Sequence, residues 1–314
     1  MPSLLAAVLL FVPTAPADLN RVFSAGEKHS YEFNSRVSVD YRQAPLQTFI
    51  PETVNFTYTF TTAVEQMKPD GVADLRFKRP KILLKEGETF DSPPKTEAVI
   101  QGENYLYTIS RKNQMLGVKD FTPRPKPKGD GGGLMLRSST LGGSAQLDIG
   151  GWIGQLRQIA AYVNFFDMGP ILPDSPVNVG GTWKDTIGYV PATIPAGADK
   201  GKSINARIDY VMTYMGAATL DGMNTVHIQG KITQDSDAAP YIAQLLGVKL
   251  ERAPFKEIHL KMDGLVDYYL DPKTLDPVQI KATSEGSVDV SVPDYSGGPV
   301  YEERFKSRAS LVRK

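Results

Sequence analysis

With 314 residues, 41% of them apolar, the chain is long enough for one large domain or two ordinary ones and can fill a core. Its 35 basic and 35 acidic side chains cancel, so nothing global steers it to nucleic acid or an anionic membrane. It has no cysteine, which excludes disulfides, thiol catalysis, Cys-ligated metal and lipidation at an N-terminal Cys.

Residues 4–12 form an unbroken apolar run, followed by Pro13-Thr14-Ala15-Pro16-Ala17. The run is shorter than the roughly 20 residues that span a bilayer. Ala15 and Ala17 fit the small-residue cleavage rule, although no Lys or Arg precedes the run. Residues 1–17 are therefore expected to be a signal peptide, with a mature chain that starts at Asp18 and works in the periplasm or outside the cell. No second run of membrane-spanning length follows, so no transmembrane segment is expected.

Tyr31, Phe33, Val37, Val39 and Tyr41 alternate with polar residues, the signature of a strand with one wet face. Val54, Phe56, Tyr58, Phe60 and Val64 repeat it. Lys68-Pro69-Asp70-Gly71 turns the chain, and Ala73, Leu75 and Phe77 run back. Residues 80–94 read as a loop, and 99–102, 105–110 and 115–119 as short strands. Residues 123–133, rich in Pro, Lys and Gly, read as a flexible loop with Arg124, Lys126 and Lys128 at a solvated tip.

The spacing predicts an amphipathic helix over residues 151–166. Trp152, Leu156, Ile159, Val163 and Phe166 share one face, and Gly169-Pro170 stops the helix. Trp183, Ile187 and Tyr189 then open a second β-rich stretch. Ile204, Ala206, Ile208, Tyr210, Met212 and Tyr214 form the longest clean alternation. Leu220-Asp221-Gly222-Met223 is the turn, and Val226, Ile228 and Ile232 return. Asp237 reads as the cap of a short helix over 238–246. Ile258, Leu260 and Met262, then Val266, Tyr268 and Leu270, read as a pair of strands bent at Gly264. Residues 271–277 turn the chain into the closing strands.

The order of strands and turns repeats. Asp70-Gly71 matches Asp221-Gly222, and Gly102 matches Gly264. The expected fold is mainly β (α+β): two similar, antiparallel, curved β-meander halves with a central helix packed on sheet. The boundaries are 18–144 for the first half, 145–176 for the helix and linker, and 177–314 for the second half.

The stretch between the halves carries Leu172-Pro173, Pro176-Val177 and Gly180-Gly181-Thr182-Trp183. Following a helix and lying between two β-rich halves, it resembles an uncharacterised family of exported bacterial proteins with a Leu-Pro, Pro-Val, Gly-Asp-x-Trp signature. Gly181 stands where that family usually has Asp. The segment from Gly264 to Asp271, with Thr274-Leu275, is similar to the family's closing hairpin. The family is loosely similar to periplasmic lipoprotein carriers of the LolA type. The resemblance implies a curved antiparallel sheet wrapped around helices over an apolar cavity, and no catalytic residues.

Searched for chemistry, the chain yields little. Of the three histidines, His29, His227 and His259, the last two alternate with apolar neighbours and are expected on wet strand faces; no second ligand lies at a helpful spacing from them, so no metal is expected. Residues 196–203 nearly spell a phosphate loop, but Ala196 replaces the first Gly and a strand follows. Asp235-Ser236-Asp237 is too small an oxygen set for calcium. Asn55-Phe56-Thr57 fits a glycosylation pattern inside a strand, and no Ser sits in a nucleophile elbow. The reading is a non-catalytic carrier or scaffold, without cofactor, for an apolar ligand such as a lipid. Its candidate lining is Tyr58, Trp152, Phe166, Tyr210, Met212 and Tyr214. The alternative is a cell-envelope module that binds another protein through a sheet edge or through the Pro/Gly loop at 123–133.

Overall fold

The computed structural model describes residues 15–80, 82–85, 97–100, 102–121, 169–189, 206–245, 249–293 and 295–314. The alternating segments form strands β1 (Lys28–Gln43), β2 (Ile50–Met67), β3 (Ala73–Arg79), β4 (Ile82–Lys85), β5 (Glu97–Ile100), β6 (Glu103–Ile109) and β7 (Met115–Asp120). They continue as β8 (Thr182–Tyr189), β9 (Ala206–Leu220), β10 (Met223–Asp237), β11 (Glu257–Leu270), β12 (Pro277–Ser291) and β13 (Tyr301–Arg313). A short helix, α1 (Ala239–Leu245), follows β10.

Eleven strands make one antiparallel sheet in the order β7-β6-β3-β2-β1-β13-β12-β11-β10-β9-β8. The two expected meanders are therefore continuous. They meet where β1 pairs with β13, from Tyr31 opposite Arg313 to Gln43 opposite Tyr301. Both Asp-Gly turns sit at hairpins with left-handed backbone at both residues: Asp70 (φ 62°) and Gly71 (φ 72°), Asp221 (φ 49°) and Gly222 (φ 81°). The second is a two-residue loop, because Leu220 pairs with Met223. The match of Gly102 with Gly264 does not hold. Gly102 precedes β6, whereas Gly264 lies inside β11, which is one strand and not a bent pair.

The expected loop at 80–94 contains β4, which pairs with β5 in a separate two-stranded sheet. Period-two patterning is lost in so short a pair, so the sequence hid it. The expected helix over 151–166, the loop at 123–133 and the loop at 196–203 lie outside the described residues.

The sheet curves, with its apolar face inward. Residues 169–181 run as a strap across one end. Leu172 N–H bonds to Lys112 O beside the β6–β7 turn, and Tyr214 N–H on β9 bonds to Gly181 O. Nine extended residues reach about 30 Å. In a flat sheet the eight steps from β6 to β9 would need about 38 Å. Curvature closes the gap. The N-terminal segment runs beside the strap, with Ala17 bridging Val177. Its Leu19 and Phe23 join the same buried cluster as the inner faces of β1 and β13, so the apolar face is the concave one.

Candidate functional site on the concave face

Period two sends Tyr31, Phe33, Phe60, Phe77, Tyr105 and Tyr107 to the concave side of β1, β2, β3 and β6, where all are buried. They touch in sequence across the strands. Tyr31 stacks on Phe60 (5.2 Å between centroids), Phe60 meets Phe77 (4.9 Å), and Phe77 meets Tyr105 (6.2 Å) and Tyr107 (6.1 Å). Tyr58 continues this aromatic wing against Phe33 (4.7 Å) and is half-buried. The Arg79 guanidinium, itself buried, lies 5.3 Å from the Tyr58 ring.

The opposite wing mixes aliphatic side chains with tyrosines. Tyr210 and Met212 on β9 are buried beside Ile228 and Ile232 of β10, and Tyr214 is half-buried. Met212 and Tyr268 close over Gly230, where an added Cβ would lie 3.0 Å from the Met212 sulfur. Between the wings the floor carries small residues. Ser284 and Ser307 share a hydrogen bond (2.6 Å), and the buried Ser35 hydroxyl has no hydrogen-bond partner among the described residues.

Of the expected lining, Tyr58, Tyr210, Met212 and Tyr214 do share the concave face. Tyr58 lies on one wing of it and the other three on the opposite wing, because β2 and β9 are six strands apart. Trp152 and Phe166 lie outside the described residues. Phe77, Tyr105 and Tyr107 were missed, though their alternation signalled an inner face. Arg79 was missed because a charged residue ending a strand reads as solvated.

His227 and His259 do lie on neighbouring strands, but ten register positions separate them: His227 faces Tyr269 and His259 faces Asp237. Each pairs with a carboxylate instead, His227 with Asp267 (2.9 Å) and His259 with Asp235 (2.7 Å). The Asp235 partner raises the His259 pKa. Asp237 caps α1 as expected, its Oδ1 accepting from the N–H of Ala239 (2.9 Å) and of Ile258 (3.0 Å).

The closed end holds a buried polar knot. Arg21 donates to Asp276 through Nε (2.9 Å) and Nη2, and through Nη1 to Asn113 Oδ1 (2.7 Å). Burial pushes Asp276 up, but Arg21 and His29 override it and hold the carboxyl at about 2. Hydrogen bonding to Asp276 in turn raises His29 against its own desolvation. Among the described residues, Glu27, His29 and Asp276 form a group of metal-competent side chains.

Fold and site together define a β protein built on one large antiparallel sheet with an apolar, partly aromatic concave face. No protein-family model matches the chain, and no curated protein does. Among solved structures it is similar to lipovitellin, from work on lipid–protein interactions in that protein, with a TM-score of 0.36 and 10% identity over 93% of this chain and 25% of that one. The chain thus spans about a quarter of the length of the solved chain it matches. No helix among the described residues is long and apolar enough to cross a membrane.

Proposed function

We propose that the protein is an exported, non-catalytic carrier or scaffold whose concave face receives an apolar ligand such as a lipid. The observation that carries this reading is the unbroken aromatic wing from Tyr31 to Tyr107, on the inside of a curved sheet. Tyr58 is its half-buried member, and its partial exposure supports a ligand entering there. Aromatic walls suit apolar ligands of loose shape, because they offer area without demanding hydrogen bonds. Titration with a fluorescent fatty acid tests this. Micromolar binding, displaced by lipid extract and lost in Tyr58→Asp with the fold intact, is the expected result. Absence of probe binding to the wild type would remove the carrier.

A second reading is favoured by one edge of the sheet. Among the described residues β7 has no outer neighbour in the sheet, and it exposes Met115 and Leu116, with Phe121 just beyond. Such an edge can accept an extended strand from an envelope protein. A charged substitution at Leu116 would then release the partner and leave probe binding unchanged.

A further inference from the structure

Three ligand types converge at the closed end of the sheet. Glu27 immediately precedes β1 and His29 is its second residue, while Asp276 ends the turn before β12. His29 Nε2 lies 2.9 Å from Glu27 Oε1 and 3.4 Å from Asp276 Oδ2. The three ligand atoms all lie within 4.8 Å of one another. Each carboxylate has its other oxygen already committed. Glu27 Oε2 accepts the Ser24 backbone N–H (3.2 Å), and Asp276 Oδ1 accepts from Arg21. Arg21 is fixed by Asn113, whose Nδ2 donates to Pro170 O (3.1 Å). Arg21, Asn113 and Asp276 are buried, whereas His29 and Glu27 are 21% and 19% exposed, so the open side of the group faces solvent.

We propose that Glu27, His29 and Asp276 are a three-ligand site for a divalent transition metal, zinc above all, with a solvent molecule as fourth ligand. Zinc binds imidazole nitrogen and carboxylate oxygen at about 2.0–2.2 Å in a tetrahedron, whose edges are then about 3.3–3.6 Å. The His29–Asp276 separation already has that length, and the His29–Glu27 contact opens by about half an ångström to reach it. The imidazole favours zinc, nickel or copper over magnesium or calcium, which take oxygen shells. Two carboxylates, one guanidinium and a neutral imidazole sum to a single negative charge, so a dication is attracted. Orientation of first ligands by a second layer of hydrogen bonds is what metal sites use to hold affinity. Here that layer is Arg21, Asn113 and the Ser24 N–H. The sequence hid the site because Glu27-x-His29 supplies two ligands and the third comes from the far end of the chain.

The untagged full-length chain, stripped with EDTA, is titrated with Co²⁺ and followed by visible absorption, and with Zn²⁺ against a chromophoric chelator. One metal ion per chain is expected, with the intense bands of tetrahedral cobalt and a zinc-dependent rise in Tm. His29→Ala and Glu27→Gln should each abolish the bands and weaken zinc at least about tenfold, while His259→Ala changes neither. Should Asp276→Asn fail to fold, Glu27→Gln still decides, because Glu27 lies outside the buried ion pair. Absence of the bands and of zinc binding in the wild type, or their persistence in either His29→Ala or Glu27→Gln, would overturn the site.

Discussion

Arg21 and Asp276 show how one ion pair organises a sheet end. In a flat sheet, the five steps from β6 to β12 would hold Asn113 and Asp276 about 24 Å apart. Both instead grip one guanidinium. Removing that guanidinium takes from a buried carboxylate the stronger of its two charge partners, Arg21 and His29. Arg21→Met should therefore destabilise by about 3–5 kcal/mol in urea unfolding of the EDTA-stripped protein. Adding Asp276→Asn should return part of the loss. On the wet face the reverse situation occurs. Asp289 stands directly opposite Glu302, and burial together with that like charge raises its pKa. A carboxyl raised in the fold binds its proton more tightly there than in the unfolded chain, so it costs stability as pH rises through its folded pKa. Asp289→Asn should stabilise at neutral pH by about 0.2–1 kcal/mol, the range for cross-strand pairs. The gain should fade below about pH 4, where the carboxyl is protonated in both states. Unfolding midpoints at the two pH values check the sign.

At the scale of elements, the sheet is built to be crossed closely. An added Cβ on Gly286 of β12 would lie 2.1 Å from Lys261 O on β11 and 2.8 Å from Phe305 Cζ on β13. Backbone cannot give way there as a flexible side-chain tip can. Gly286→Ala should cost about 1–3 kcal/mol or more, read as a lower Tm with unchanged strand content by circular dichroism. The strap uses glycine similarly: a Cβ on Gly181 would meet Val177 Cγ2 at 2.5 Å and Asn178 O at 2.8 Å. The Leu-Pro to Trp motif is thus structural. Leu172 is buried, and Trp183 Nε1 donates to Ile171 O (2.9 Å). Strands were legible wherever one face met water, because Tyr31 to Tyr41 or Tyr210 to Tyr214 then alternate. The Asp-Gly turns were legible because left-handed backbone selects those residues. The wrapping was not, since the pairing of β1 with β13 leaves no local mark. Nor was the knot, whose members Arg21, Asn113 and Asp276 come from three remote segments.

For the whole molecule, the question is whether the repeated order of strands marks two separable units. The sheet argues against it. β1 is an interior strand, held by β2 on one side and by thirteen paired positions of β13 on the other. Its inward residues Tyr31, Phe33, Val37 and Val39 share one cluster with Phe305 and Leu311 of β13. Cutting the chain between the halves would strip that ladder and turn β1 and β13 into long free edges. Each would be flanked by an exposed apolar face, the arrangement that templates aggregation. Residues 18–144 or 177–314 expressed alone should therefore be insoluble or lack cooperative unfolding. Expressed together, they should recover a one-to-one complex, because the β1–β13 ladder and the Arg21–Asp276 pair both cross the cut. Size-exclusion chromatography with light scattering reads the outcome. A soluble, cooperatively folded monomer of either half alone would show that the repeat is a tandem of independent units, and that the shared sheet is a contact between them.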